Sequence, residues 1–335
     1  MERVFPAHSI APASHPRALT SGPLLTLPSL PAYMQQEHLA GVLVLQAGQV
    51  RFERYALGLS ARGRWTTFSV TKSFTDTLVG VALQAGEIHS LEEDVTHYLP
   101  ELRGSAYEGV TIRQLLTMTS GVRWNENYTS PTADNVLLYS TPVATGLDPT
   151  VEYMRRLPRE AAPGTRWHYN TGETDLLGVL LRRAAGKTLS QQLGGSLWQS
   201  AGMQRLATWI ASAPGSQSAE FGGSGLSATV RDLGRFGLWF MEGGHGLLPR
   251  DWVAEASHAQ VSAGAAGYGY GWWPQGSAGT YAALGIFGQS IFIDPARKLV
   301  IVTVGNWPEA TGAAHTAARA AFWHEVQAAV DAGDS

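Results

Sequence analysis

The chain has 335 residues, of which 44% are hydrophobic and 15% are charged, and its formal net charge is −3. This charge gives no field of the strength that nucleic-acid binding needs, because such proteins carry a concentrated basic face. The absence of cysteine excludes disulfides, thiolate nucleophiles and thiolate-bound metal sites. No apolar run approaches the roughly 20 residues that span a bilayer. We therefore expect a globular protein with no nucleic-acid or membrane partner.

The first 35 residues carry six prolines, from Pro6 to Pro31. These prolines leave no uninterrupted apolar core of the kind that a secretory signal peptide has. We therefore expect a cytoplasmic protein in which residues 1–35 form an irregular arm.

Two β-rich runs follow, LAGVLVLQ from Leu39 and then VRFERYAL, and Ala47-Gly48-Gln49 between them predicts a hairpin. The next segment, SFTDTLVGVALQAGEI, has apolar residues at helical spacing, and Gly86 marks the C-terminal end of the predicted helix. Because this helix is apolar over most of its circumference, we expect it to be buried at the centre of the fold.

Residues from about 90 to 270 are typical of short helices and loops, with helices predicted after Thr111, before Gly186 and over ATVRDLGRFGLWFMEGG. Three β-rich runs then return, and a closing helix is predicted over about 312–329. The pattern predicts an α/β (α+β) fold, in which both chain ends build one antiparallel sheet flanked by helices. We expect the sheet domain to comprise 36–88 and 270–335, with 89–269 as a mostly helical insertion.

The strongest chemical motif is Ser69-Val70-Thr71-Lys72. Residues three apart share one face of a helix, so the Ser69 hydroxyl can lie beside the Lys72 amine. Only three of the 24 Lys and Arg side chains are Lys, and lysine, unlike arginine, can lose its proton and act as a base toward serine. The Ser69 N–H lies at a helix start, where it is free to bind an oxyanion. The alternative is a Ser N-cap with Lys72 reaching solvent.

Two further segments are weaker candidates. The loop that precedes the second long helix can project the Tyr169 hydroxyl into a cleft as a proton shuttle, although a packed tyrosine with its hydroxyl satisfied is the more ordinary explanation. The glycine-rich run Ala283–Gln289 can offer the Ile286 N–H as a second oxyanion donor, or it can be a structural bulge. The run Gly222–Leu226 is interpreted as a flexible turn. The ten histidines are scattered and match no metal motif.

These segments, in their order and spacing, resemble the serine β-lactamase-like and penicillin-binding-protein-like hydrolases. Within these hydrolases the chain is most similar to the 6-aminohexanoate-dimer (nylon-oligomer) hydrolases and the family VIII carboxylesterases. The resemblance runs from about Leu39 to Asn306. It is carried by FSVTKSFTDTLVGVAL, DVTHYLPEL, TIRQLLTMTSGVRWNENY, APGTRWHYNTGETDLLG, FGGSGLSATVRDLGRFG, YGYGWWP and GIFGQSIFIDP.

The resemblance implies roles for particular residues. Ser69 would be the acylated nucleophile, Lys72 its partner, and Tyr169 would share the proton transfers. The N–H groups of Ser69 and Ile286 would bind the oxyanion. Substrate-binding candidates are Tyr128, on the loop that closes over substrate in the nylon-oligomer hydrolases, and Trp273, on the pocket wall.

The sequence departs from the family pattern at two places. The Asn of the Tyr-x-Asn motif is Thr171 here, with Asn170 one position early. The Lys-Thr-Gly triplet of the lactam-processing relatives is replaced by Ala283-Leu284-Gly285, which removes the cation expected to hold a lactam carboxylate.

The resemblance therefore implies a serine hydrolase that cleaves amide or ester bonds of small molecules through an acyl-enzyme, with no cofactor and no metal. A carboxylesterase with little amidase activity shares every residue above. A β-lactamase or D-amino-acid peptidase is disfavoured by the missing triplet, and a non-catalytic binding protein is disfavoured by retention of the three catalytic side chains. A homodimer is compatible with the sequence.

Overall fold

The structure is a computed structural model that describes residues 5–140, 146–264, 267–276 and 279–333. Its strands, in chain order, are β1 (Ala7–Ile10), β2 (Thr20–Ser21), β3 (Leu39–Gln46), β4 (Gln49–Tyr55), β5 (Trp65–Thr66), β6 (Ala207–Ile210), β7 (Leu226–Ala228), β8 (Trp273–Gln275), β9 (Thr280–Leu284), β10 (Ser290–Asp294) and β11 (Leu299–Gly305). Its helices are α1 (Leu30–Gln36), α2 (Thr71–Ala85), α3 (Ile112–Leu116), α4 (Asp134–Ser140), α5 (Pro149–Met154), α6 (Thr171–Ala185), α7 (Leu189–Gly195), α8 (Leu197–Ser200), α9 (Val230–Met241), α10 (Trp252–Ser257) and α11 (Ala313–Gly333).

The larger sheet has seven strands in the order β2-β4-β3-β11-β10-β9-β8. Neighbouring strands are antiparallel, except that β2 pairs with β4 in parallel. Strands β2 to β4 come from the N-terminal part of the chain and β8 to β11 from the C-terminal part. The predicted α/β fold, with one sheet built from both chain ends, is therefore confirmed.

Helices cover both faces of this sheet, which explains why β3 is a continuous apolar run rather than an alternating one. Val42 and Val44 point into the apolar cluster that contains α1 and α11, whereas Leu43 and Leu45 point into the larger cluster that contains α2 and α9. A Cβ atom at Gly234 of α9 would lie 2.8 Å from Leu43 Cδ2. Glycine at this position therefore lets α9 lie directly on the sheet.

Helix α2 lies at the centre of the fold, as predicted. Its Phe74 ring stacks on the Phe236 ring of α9, with 3.8 Å between centroids. The helix ends at Gly86, whose φ of 75° is left-handed, a conformation that glycine adopts without steric cost. The rigid α2 thus carries the Ser69–Lys72 segment into the interior.

A second sheet has the order β1-β6-β7-β5. The sequence patterns did not reveal β6 and β7, which have four and three residues and are too short to show a period. The expected irregular arm is in fact ordered from residue 5 onward: it forms β1, β2 and α1, and β1 pairs with β6. Residues 1–4 lie outside the described ranges, and the domain limits stay a prediction.

No helix within the described ranges combines the length and the apolar character needed to cross a membrane.

Candidate active site

Ser69 and Lys72 lie at the N-terminal end of α2, where a short 3₁₀ turn (Phe68–Val70) leads into the helix. The Lys72 Nζ atom is 3.1 Å from Ser69 Oγ. The Lys72 side chain does not reach solvent, since the residue is only 1% exposed. A buried amine next to a serine hydroxyl has the geometry of a base and its nucleophile.

A glycine-rich turn holds Lys72 from the other side. Lys72 Nζ donates to the carbonyl oxygen of Gly223 at 2.8 Å. The turn itself is fixed, because the Gly223 N–H donates to Asp175 Oδ1 at 2.7 Å and Thr75 Oγ1 donates to the Gly222 carbonyl at 2.6 Å. The run that the sequence analysis interprets as a flexible turn is thus hydrogen-bonded to both α2 and α6. The sequence does not indicate that this turn contacts Lys72, because Gly223 has no side chain and is 151 residues from Lys72.

Tyr169 lies beside the lysine, with its ring centroid 5.1 Å from Lys72 Nζ. The ring is stacked on Trp273 at 5.9 Å and meets Tyr268 edge-on at 6.4 Å. Burial raises the pKa of the Tyr169 hydroxyl, and among the opposing influences the charge of Lys72 is the largest, followed by hydrogen bonding to Ser69 and to Lys72. The hydroxyl is therefore protonated at neutral pH and able to donate.

The two predicted oxyanion donors face the same cavity. Ile286 begins a 3₁₀ turn (Ile286–Gly288) directly after β9. A Cβ atom at Gly285 would lie 2.7 Å from the Thr67 carbonyl oxygen, so the end of β9 approaches the Ser69 turn at backbone distance. Among the described residues, neither the Ser69 N–H nor the Ile286 N–H has a hydrogen-bond partner. Two unpaired N–H groups at one cavity can stabilise an oxyanion.

A cavity of about 280 Å³ opens between these groups. It is lined by Ser69, Tyr169, Trp273, Leu284, Gly285, Ile286, Trp307, Ala310, Thr311, Thr316 and Arg319. The predicted pocket residue Trp273 is thus on its wall, and the cavity has room for a small acyl group beside Ser69 and Ile286.

Arg319 of α11 was not singled out from the sequence, although it lines this cavity. Its guanidinium packs over the Trp307 and Trp323 rings at 5.3 and 5.2 Å. The Arg319 Nε atom is buried and makes no hydrogen bond to any described residue, and burial lowers the pKa of the guanidinium to about 10. The cavity therefore contains a cation whose hydrogen-bonding capacity is not satisfied by the protein.

Tyr128 lies on a neighbouring cavity, which shares Ala310 and Thr311 with the first. Its hydroxyl donates to Glu126 Oε1 at 3.0 Å. Glu126 also accepts from Thr171, at 2.5 Å from the Oγ1 atom and 3.1 Å from the N–H. Where the family has Asn, Thr171 thus holds the loop that carries Tyr128, and its hydroxyl is engaged there rather than at Lys72.

Three buried carboxylic acids surround the lysine and its supporting helix, α6. Burial raises the pKa of Glu173 to about 8 and that of Asp175 to about 6. Burial also raises the pKa of Asp76 well above its usual range, against the opposing charge of Lys72. Asp76 lies one turn after Lys72 on α2. In each of these three acids, burial thus favours the protonated, uncharged form.

Comparison with known proteins shows the family of the chain. A sequence profile described as beta-lactamase matches residues 30–322. The chain is 29% identical to the 6-aminohexanoate-dimer hydrolase of Paenarthrobacter ureafaciens in an alignment of length 325 that covers 91% of this chain and 80% of that one.

Solved structures show the same fold. A Bacillus anthracis protein assigned as a 6-aminohexanoate-dimer hydrolase superposes with a TM-score of 0.83 at 23% identity, covering 96% of this chain and 90% of its own. A penicillin-binding protein from Bacillus halodurans superposes with a TM-score of 0.70 at 22% identity, covering 88% and 99%. The chain belongs to the beta-lactamase family and is a serine hydrolase that acts on amide or ester bonds.

Proposed function

We propose that Ser69 is the nucleophile of this hydrolase, with Lys72 as its base and Tyr169 as the proton donor to the leaving group. The observation that carries the proposal is the 3.1 Å approach of Lys72 Nζ to Ser69 Oγ, made by a lysine that is 1% exposed. A lysine with no catalytic role at a helix start would extend its amine into solvent, because burying its charge without a partner is costly.

Acylation follows from this arrangement. Lys72, acting as the base, takes the Ser69 hydroxyl proton while Oγ forms a bond to the carbonyl carbon of the substrate. The carbonyl oxygen becomes an oxyanion between the N–H groups of Ser69 and Ile286. The bond from carbon to the amine or alkoxide then breaks, and the leaving group receives a proton from Tyr169, which is replenished from the Lys72 ammonium.

Deacylation repeats these roles with water. Lys72 and Tyr169 remove a proton from a water molecule that attacks the ester on Ser69, and Ser69 regains its proton as it leaves. The two oxyanion donors act in both halves. Loss of one such donor typically lowers kcat by about 10²–10³.

We further propose that the substrate is a small amide that carries a carboxylate, such as a 6-aminohexanoate oligomer. Arg319 supports this, because the residue lines the cavity that contains Ser69 and its buried Nε atom has no hydrogen-bond partner among the described residues. Burying a cation without a partner is expensive, and a substrate carboxylate would compensate it by a charge-assisted hydrogen bond. The relative that hydrolyses the 6-aminohexanoate dimer matches the chain along most of its length.

A carboxylesterase is the second candidate, and the cavity favours it in one respect. Apart from Arg319 and the catalytic groups, the wall is mostly apolar, with Leu284 and two tryptophans. A neutral ester needs no ionic partner in such a pocket. Lactam hydrolysis is not supported by the Ala283-Leu284-Gly285 segment.

The nucleophile is tested with a serine-reactive phosphonate, read as a mass shift of the intact protein. Wild-type protein is expected to gain one phosphonyl group, and Ser69→Ala to gain none. Ser73→Ala is the matched control, because Ser73 lies on the same helix with its hydroxyl bonded to the Gly271 carbonyl at 2.6 Å. Labelling of Ser69→Ala at the wild-type rate would exclude Ser69.

The substrate is tested with one enzyme preparation and three compounds: a short nitrophenyl ester, the linear 6-aminohexanoate dimer and a chromogenic cephalosporin. Turnover of the ester and the dimer but not of the cephalosporin is expected. Turnover of the ester alone would establish the carboxylesterase.

A further inference from the structure

Two phenylalanines beside the cavity have backbones in the left-handed region. Phe68 has a φ of 44° and Phe287 a φ of 61°. This conformation is disfavoured for any residue with a side chain and persists only where the surrounding structure imposes it. Glycine would adopt it freely at either position.

The positions of the two residues relate them to the oxyanion donors. Phe68 directly precedes Ser69, and Phe287 directly follows Ile286. The two rings contact each other, with centroids 5.4 Å apart and planes inclined by 55°. One strained residue thus adjoins each donor, and the ring contact joins the two turns.

The backbone around each phenylalanine is held in place. The Phe287 N–H donates to the Ala310 carbonyl at 3.0 Å, and the Phe287 carbonyl accepts from the Trp307 N–H at 3.2 Å. Gln289, which is 1% exposed, donates from Nε2 to the carbonyl oxygens of both Ile286 and Phe287, at 3.1 and 3.0 Å. The Ile286 turn is therefore fixed from behind by a buried side chain.

The turn that carries Phe68 is anchored in the same way. The Thr67 N–H and Oγ1 both donate to the Leu226 carbonyl, at 2.9 and 2.8 Å. Each turn is thus fixed to a different part of the fold, one to β7 and one to the segment after β11. The two turns meet directly at two places, where Gly285 approaches the Thr67 carbonyl and where the rings of Phe68 and Phe287 touch.

We propose that Phe68 and Phe287 are positioning residues that hold the Ser69 and Ile286 N–H groups at the separation that an oxyanion requires. This inference rests on the proposed function, since it assigns a task to the pair only if these N–H groups bind the oxyanion. Both rings are only half-buried. Burial of the rings therefore stabilises the fold only modestly and does not by itself explain why the strained backbone is retained. A shift of about 1 Å at a reacting group can cost up to about 10²-fold in rate.

The test is Phe287→Gly, which keeps the backbone conformation accessible and removes the ring. Because the donors would lose their fixed separation, kcat for a nitrophenyl ester is expected to fall about 10- to 100-fold while KM changes less than about threefold. Affinity for phenylboronic acid, whose tetrahedral adduct with serine places an anionic oxygen between the donors, is expected to fall by a similar factor. Phe287→Tyr, which keeps the ring, is expected to recover most of the lost kcat.

Leu57→Gly is the matched control for the backbone change. Leu57 also has a left-handed φ, of 51°, but it is 58% exposed and does not line the cavity. Its kcat and boronate affinity are expected to stay at wild-type values. All assays are run well below the melting temperature of each variant, so that loss of folded protein does not enter kcat.

The double variant Phe68→Gly/Phe287→Gly decides whether the ring contact is responsible. If it is, either substitution alone breaks the contact, and the double variant loses about as much kcat as one single variant. Losses that multiply would overturn the proposal, as would wild-type kcat and boronate affinity in Phe287→Gly. Failure of the proposed function is seen separately, as wild-type protein that a phosphonate does not label at Ser69.

Discussion

Replacement of Lys72 by methionine removes the proposed base while keeping an unbranched side chain of similar length. In the structure, Lys72 Nζ contacts Ser69 Oγ at 3.1 Å and the Gly223 carbonyl at 2.8 Å. Methionine can neither accept the Ser69 proton nor donate to Gly223. The variant therefore tests the chemistry at one atom.

The expected loss of rate follows from the role of a general base, which contributes about 10²–10⁴-fold. This corresponds to about 3–5 kcal/mol in the activation free energy of acylation. The free energy of unfolding should change much less. The unpaired Gly223 carbonyl costs about 1–3 kcal/mol, but methionine removes an amine that needs polar partners in this buried position.

The assay is the burst of nitrophenolate in a stopped-flow experiment, with thermal melting measured on the same sample. Lys72→Met is expected to lose at least about 100-fold in acylation rate while its melting temperature stays within a few degrees of wild type. Lys72→Arg is the companion variant, since arginine keeps a basic side chain but does not lose its proton, and it should be equally slow. Acylation within tenfold of wild type in either variant would refute the assignment of Lys72 as base.

Three further predictions concern the surroundings of this lysine. Arg319→Met is expected to raise KM for the linear 6-aminohexanoate dimer at least about tenfold and to leave KM for a neutral nitrophenyl ester unchanged, because only the dimer has a carboxylate to bind. Equal changes of KM for the two substrates would contradict this. Burial raises the pKa of Glu173 to about 8, so the folded state holds a proton that the unfolded state releases near pH 4.5, and stability is lost as pH rises from about 5 through 8. Glu173→Gln should flatten that decline in thermal melts between pH 5 and 9, and an unchanged decline would count against it. Gly223→Ala would place a Cβ atom 2.7 Å from Thr171 Cγ2 and 2.8 Å from the Thr171 carbonyl oxygen. Relief of this clash would displace the Gly223 carbonyl that contacts Lys72, so kcat should fall about tenfold. A kcat and a melting temperature equal to those of wild type would contradict this and show that the turn adapts.

The parts of the fold that could be predicted from the sequence depend on short-range signals. The ends of α2 and α6 follow from Gly86 and Gly186, each left-handed in the structure. The β3–β4 hairpin follows from the residues between its strands. Ser69 and Lys72 are three residues apart, where a 3₁₀ turn runs into α2, so their approach needs only local helical geometry.

The parts that could not be predicted depend on contacts between distant segments. Lys72 and Gly223 are 151 residues apart, and no local pattern indicates which carbonyl the lysine meets. Arg319 is one of many arginines, and only the packing of α11 on the sheet brings it to the cavity. The short strand β6 is defined by its pairing with β1, which lies near the start of the chain.

The most direct test of the central claim is to trap the acyl-enzyme. Wild-type protein is mixed with a nitrophenyl ester, quenched in acid within the burst, digested and mapped by mass spectrometry. The acyl group is expected on the peptide that contains Ser69, at Ser69 itself, and it should be absent from Ser69→Ala treated identically. An acyl group on another residue, or turnover by Ser69→Ala at the wild-type rate, would contradict the account.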